Sequence, residues 1–456
     1  MSLSPSLADL AMSAGARRLI LVAAFLGWMF SGVQMAVMTA ASRSATTEFA
    51  RSGQLTPDAI FAWSRFVGPS PPLTSSLTKE HERAILKTAA PPWVAGYNAC
   101  FLLGAAAGGL IFGSLGDTIG RVRAMSLSIL CYSLFAGAGY FTRTPEQLLV
   151  CRVLSGLGVG GMWPTGVSLA SEAWADVSRP FLAGLLGASA NVGIVLFNVV
   201  AYRVPVTAES WRWTLLMCSL PAIVGVWAWF AVPESKSWLA ARAEPANEKQ
   251  GLSTWDVFRP PLLRLTIVGI MVGTVPLFGG WGATQWLILW SEQVLHLDPS
   301  AKALTAIMRS TGGTIGSLIG GWLANLCGRR LTYFAISLLS LALGELIYLY
   351  LSPEHALYSG AVFALGFVTT IFFGWLPLYL PELFPTHARA LGSGVSFNFG
   401  RILTAAGVLL TGWITAALDG NFGRAGSYTM LIYAVGMIFI LFAPDTTKAN
   451  TTNRHV

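Results

Sequence analysis

Read only as hydrophobic and polar positions, the chain is a series of long apolar runs joined by short polar connectors. The runs fall at 19–41, 93–115, 122–141, 146–170, 180–201, 211–232, 262–290, 303–325, 331–351, 356–380, 389–417 and 425–443. Each reaches the roughly 20 residues that a helix needs to cross a bilayer. A membrane barrel would instead show short alternating segments. The pattern predicts an all-α integral membrane protein of twelve transmembrane helices. Two connectors are longer than the rest. Residues 42–92 are polar and carry Pro69, Pro71, Pro72, Pro91 and Pro92; residues 233–261 are charged. The expected organisation is a six-helix bundle over 1–232 with an external loop at 42–92, a linker at 233–261, and a second six-helix bundle over 262–456.

Composition agrees: 54% of the 456 residues are hydrophobic and only 11% are charged, against about a quarter charged in a soluble domain. The net charge of +8 raises nucleic acid as a partner. The basic residues sit in short connectors, however, which points to membrane orientation instead. Arg17/Arg18, Arg121/Arg123, Arg179, the linker set Lys236, Arg242, Lys249, Arg259 and Arg264, then Arg329/Arg330 and Arg389 fall on one face. The opposite loops are balanced: Arg143 with Glu146, Arg203 with Glu209, Asp298 with Lys302. Both termini are expected in the cytoplasm of a cell whose plasma (bacterial inner) membrane holds the protein. The five cysteines form no CxxC pair or disulfide framework, and no cofactor is expected.

The chain repeats itself. Gly113, Asp117, Gly120 and Arg121 recur as Gly321, Asn325, Gly328 and Arg329 at one constant offset. Glu172 and Arg179 recur as Glu382 and Arg389, and "PESK" at Pro233 as "PDTTK" at Pro444. Three pairs in the same order at nearly one offset mean two parallel halves, an arrangement that places a solute site between them near mid-membrane.

At these residues the chain resembles the major facilitator superfamily. Gly113-x-Leu115-Gly116-Asp117-x-x-Gly120-Arg121 is similar to its loop signature between helices two and three, with Thr118 where a basic residue is usual. "RVLSGLGVGG" from Arg152, "PESKSWL" from Pro233 and "PELFPTHARALGSG" from Pro381 resemble the sugar-porter branch and its organic-acid relatives. "FNFGRI" from Phe397 resembles the sialate and aromatic-acid proton symporters. The resemblance implies alternating access, a small-molecule substrate, the option of proton coupling and a monomer. Asp117, Arg121, Glu172, Arg179, Arg329, Glu382 and Arg389 are then expected to form a charge latch closing the halves on the cytoplasmic side; the alternative is simple anchoring of turns. The glycine rows at Gly104/Gly108, Gly156–Gly161 and Gly312/Gly316/Gly320 read as helix packing.

Charge inside a bilayer is costly and marks function by default. Arg152 and Arg401 lie within the fourth and eleventh segments. Arg309 and Glu345 lie equidistant from Cys327 on either side of a tight turn, so an ion pair between them is expected. In the resembled branches an acid in helix one faces the arginine of helix four. Here Ser31 and Gln34 occupy that stretch and do not titrate near neutral pH. Arg152 is thus open to a substrate carboxylate, to a facilitator without proton coupling, or to a structural role against Gln34. Arg401 divides between a carboxylate and helix–helix bonding.

The resemblance places the first, fourth, seventh and tenth helices around the cavity. Trp28, Trp163, Trp281, Trp286, Phe373 and Trp375 would line it, with Gln285, Asn98, Asn191, Asn198 and Asn398 as polar contacts. The expected substrate-binding set is Arg152, Gln34, Gln285, Trp281, Trp163, Trp375, Asn398 and Arg401. The function expected is transport of a small organic solute, first a sialic, sugar or aromatic acid, with a neutral sugar as the alternative and a transporter-like sensor outside that class. No HExxH, CxxC or GxxxxGK[ST] pattern supports an enzyme or an ATP-driven pump.

Overall fold

The computed structural model describes residues 12–52, 90–174, 179–243, 255–295, 298–385 and 388–446. Among them there are sixteen α-helices and no strand. The first half contains α1 (Ala14–Arg51), α2 (Ala90–Ile119), α3 (Arg121–Ala138), α4 (Pro145–Ala173), α5 (Arg179–Arg203), and a sixth span in two pieces, α6 (Arg212–Met217) and α7 (Ala222–Ala231). A short linker helix, α8 (Lys236–Ala243), follows. The second half contains a broken seventh span, α9 (Leu263–Phe278) and α10 (Gln285–Val294), joined through Gly279–Ala283. Then come α11 (Pro299–Cys327), α12 (Arg329–Tyr350), α13 (Tyr358–Glu382), α14 (Arg389–Ala417), and a twelfth span of α15 (Phe422–Met430) and α16 (Ile432–Phe442). Eleven spans are long and apolar enough to cross a membrane. The other, α11, has 29 residues and carries Lys302 and Arg309 among its apolar positions.

The sequence starts these helices by ordinary means. Thr144 caps α4 ahead of Pro145 and Glu146, and Asp298 caps α11 ahead of Pro299. α1 runs ten residues past the apolar run that predicts it. Its extension is polar but held from the side: Ser44 donates to the Val206 carbonyl (3.0 Å), and Glu48 binds Arg212 (2.8 Å) and the Trp211 indole. Packing, not hydropathy, sets that boundary. Pro69, Pro71 and Pro72 of the external loop lie outside the described residues.

The glycine rows pack backbone against backbone. A Cβ on Gly104 or Gly108 would strike the Val153 or Leu157 carbonyl of α4; one on Gly312 or Gly316 would strike the Phe363 or Phe367 carbonyl of α13. The α2–α4 and α11–α13 contacts are therefore counterparts in the two halves. One apolar core lies in residues 257–443, and two more lie mainly in residues 20–232.

The repeated motif adopts one geometry twice. Gly120 (φ 109°) and Gly328 (φ 84°) take backbone conformations that disfavour side chains, and each starts the next helix within one residue. Glu234 of "PESK" accepts from the amides of Arg121 (3.0 Å) and Val122 (3.1 Å), placing a carboxylate at the N-terminus of α3. In the second half, Arg330 binds the Ala443 carbonyl and Tyr379 donates to the Pro444 carbonyl (2.6 Å), docking Pro444 at the matching place.

Candidate functional site

The helix ends near the termini carry the repeated charges. Arg121 binds Asp117 and, at 3.4 Å, Glu172. Arg329 forms a fork to Glu382 (2.9 and 3.1 Å) and donates to Asn325 (2.9 Å). These bonds lie inside their own half. The arginine, the helix-end acid and the position-117 or -325 acceptor lie on three neighbouring helix ends of one bundle, the arrangement expected of a cytoplasmic latch that is open in this state. Arg389 is exposed, and the Arg179 side chain lies outside the described residues.

Two expectations are overturned. Arg309 and Glu345 share a depth but face apart. Arg309 donates to Thr284 of the broken span (3.1 Å), whereas Glu345 accepts from Ser427 of α15 (2.6 Å). Trp375 is fully buried; it donates to the Arg329 carbonyl (3.1 Å) and stacks on Tyr379 at 4.5 Å, inside the second half's own core. It does not face the space between the halves.

Arg152 is 1% exposed. Both its Nη atoms reach the Gln34 carbonyl at 3.5 Å, and its guanidinium lies 4.3 Å from the Phe101 ring. The Gln34 side chain turns away to the Cys218 carbonyl (2.9 Å), and Ser31 binds its own helix. Phe101 thus stands over Arg152, and on its other side lies Trp281 of the second half, 5.6 Å away.

Trp281 sits in the break of the seventh span, a wide turn of the kind that recurs at functional sites. The turn depends on Gly279, where a Cβ would overlap the Tyr433 hydroxyl. Trp281 packs with Leu102 of α2 and Ala405 of α14. One turn from Ala405, Arg401 donates through Nη1 to the Ala105 carbonyl of α2 (2.9 Å) and to Asn398 (3.1 Å), with Phe397 beneath it at 4.7 Å. Its Nε and Nη2 have no partner among the described residues. Gln285 accepts from Thr39 of α1 (2.7 Å), and both line a small pocket with Val94, Asn98, Trp281, Trp286 and Leu289. Trp163 meets Trp28 at 4.9 Å, both half-buried. The structure therefore gathers Gln285, Trp281, Asn398 and Arg401 between the halves, sets Arg152 and Gln34 behind Phe101, and leaves Trp375 elsewhere.

Sequence reasoning missed a cluster at the end of the bundle opposite the termini. Lys302, 2% exposed, donates to Glu292 (2.9 Å) and across the halves to the Ala40 carbonyl (2.8 Å). Arg43 of α1 lies 3.7 Å from Glu292. Asp298, which balances Lys302 in the charge count of this connector, caps α11 through Ser300 (2.9 Å), whose donors hold its carboxyl below the usual carboxylate range. The signal available was Glu292 and Lys302 at the apolar margins of one short connector.

Residues 93–407 match the sequence profile described as Major Facilitator Superfamily. The cis,cis-muconate transport protein of Acinetobacter baylyi is 28% identical over 71% of this chain and 78% of its own. The sialic acid transporter NanX of Escherichia coli is 25% identical over 73% and 80%. Among solved structures, a D-xylose-proton symporter has the same fold, with a TM-score of 0.66 at 17% identity over 94% of this chain and 98% of that one.

Proposed function

The chain belongs to the major facilitator superfamily and is a multi-pass membrane transporter of a small molecule, and from that premise we propose that its cargo is an organic carboxylate held by Arg401. The observation that carries this reading is a set of three membrane-embedded arginines, Arg152, Arg309 and Arg401, with no carboxylate partner among the described residues. An unpaired guanidinium in a bilayer interior is costly. A carboxylate arriving from water compensates it and forms paired charge-assisted bonds. Arg401 is the one of the three that reaches across the interface between the halves. Trp281, which packs on Ala405 one turn along α14 from it, offers an aromatic face to a ring. The relatives named for muconate and sialic acid support this class.

The cycle follows from which end is sealed. Thr39–Gln285, Lys302–Ala40 and Arg43–Glu292 tie α1 to the seventh and eighth spans at the end away from the termini. With the termini cytoplasmic by the positive-inside rule, this is the carrier closed to the outside. Tilting the halves opens that end, breaks these contacts and exposes Arg401 to external solute. Ser31 and Gln34 hold no titratable proton, so any coupling proton is carried elsewhere than at these two positions.

The test is counterflow of a radiolabelled carboxylate in proteoliposomes. Uptake should persist with a protonophore present and fall at least tenfold in Arg401→Gln at unchanged melting temperature. Full carboxylate transport in Arg401→Gln contradicts the assignment; uptake of D-xylose but of no carboxylate favours a neutral substrate.

A further inference from the structure

The small pocket beside Trp281 is lined by two residues that each carry a polar atom nothing satisfies. Asn98 is 5% exposed, and its Oδ1 accepts no hydrogen bond; Trp286 is 2% exposed, and its Nε1–H donates none. Buried polar atoms of this kind are ordinarily paired, and each left unmade costs about 1–3 kcal/mol. The two residues come from different halves, Asn98 from α2 and Trp286 from α10, and both line the same cavity with Thr39, Gln285 and Trp281. The free volume is about 10 Å³, room for one water-sized group. Trp286 is fixed there by stacking on Phe422 at 5.4 Å.

The chemistry of the lining selects the occupant. Asn98 Oδ1 needs a donor and Trp286 Nε1 needs an acceptor, in one place. A carboxylate oxygen only accepts; a methyl or ring CH does neither. A hydroxyl does both. The cavity adjoins Trp281, which packs in one cluster with Ala405, a turn along α14 from Arg401. A molecule whose carboxylate sits on Arg401 and whose body lies on Trp281 therefore extends toward it.

We propose that Asn98 and Trp286 form a hydroxyl subsite, which makes the preferred cargo a hydroxylated carboxylic acid rather than its deoxy counterpart. This rests on the carboxylate reading above and narrows it. Because the acceptor and the donor belong to opposite halves, the subsite is complete only when the outer end is closed. A hydroxyl bound there bridges α2 and α10 in that state alone, so it favours closure over the cargo.

Three pairs of acids differing by hydroxyl groups test this: 4-hydroxybenzoate against benzoate, mandelate against phenylacetate, and quinate against cyclohexanecarboxylate. The readout is inhibition of counterflow by the full-length protein in proteoliposomes. At least one hydroxy acid should inhibit tenfold or more better than its partner, since a site built for a hydroxyl rejects the analogue that lacks it. Asn98→Leu and Trp286→Phe should each bring that ratio close to one. Equal inhibition within all three pairs overturns the subsite and leaves the carboxylate reading intact. A preference that survives both substitutions also overturns it and leaves the cavity as a site for an ordered water only. Failure of every carboxylate to inhibit overturns the carboxylate reading, and the subsite with it.

Discussion

Arg309 and Glu345 show how a single residue's face outweighs its depth. Equal distance from Cys327 at the turn puts them at one level, but α11 directs Arg309 to Thr284 and α12 directs Glu345 to Ser427. A double-mutant cycle of Arg309→Gln and Glu345→Gln, followed by thermal unfolding, should show additive effects within about 0.5 kcal/mol. Coupling above 1 kcal/mol contradicts the separation. At the repeated motif, Arg329 is 5% exposed and forked to Glu382, whereas Arg121 and Glu172 are 20% and 24% exposed and 3.4 Å apart. Glu382→Gln should therefore cost about 3 kcal/mol, because it strands a buried charge, and Glu172→Gln about 1 kcal/mol or less. Melting temperatures of the two variants check the ranking, which fails if Glu172→Gln is the more damaging.

At the scale of elements, the broken seventh span is the piece on which the site depends. Its wide turn carries Trp281 toward Phe101 and starts α10 at Gln285, and it exists because Gly279 leaves room for the Tyr433 hydroxyl. Gly279→Ala should weaken carboxylate binding several-fold and lower the melting temperature. Tyr433→Phe in the same chain should restore part of both; no restoration would place the damage elsewhere. The span itself was legible as an apolar run at 262–290, but its break was not, because nothing in hydropathy separates a wide turn from a continuous helix. The same limit explains Trp375. An aromatic residue on the tenth span reads equally well as chamber lining or as core, and only the register of α13 against Tyr333 and Tyr379 decides for core. By contrast, twelve spans, the two parallel halves and the turns at Gly120 and Gly328 were readable, since apolar length, offset and turn chemistry are written locally. The seal made by Arg43, Glu292 and Lys302 was not, because its members come from three helices and its cations look like ordinary loop charge.

For the molecule as a whole, two bundles meet around a central cation and are tied at one end. Among the described residues, Glu292 is the acid between two cations there, one in each half. Its neutral variant Glu292→Gln removes the attraction to Arg43 of the first half, which exists only when that end is closed, so the population should move toward the outward-open form. The most direct measurement is side-specific alkylation of Trp281→Cys in a chain with its five native cysteines replaced, in oriented proteoliposomes. A membrane-impermeant maleimide should react from the face bearing the termini and be excluded from the opposite face, and Glu292→Gln should raise reaction from that opposite face at least tenfold. Reaction from both faces at comparable rates in the chain with Glu292 intact would contradict an alternately exposed central site.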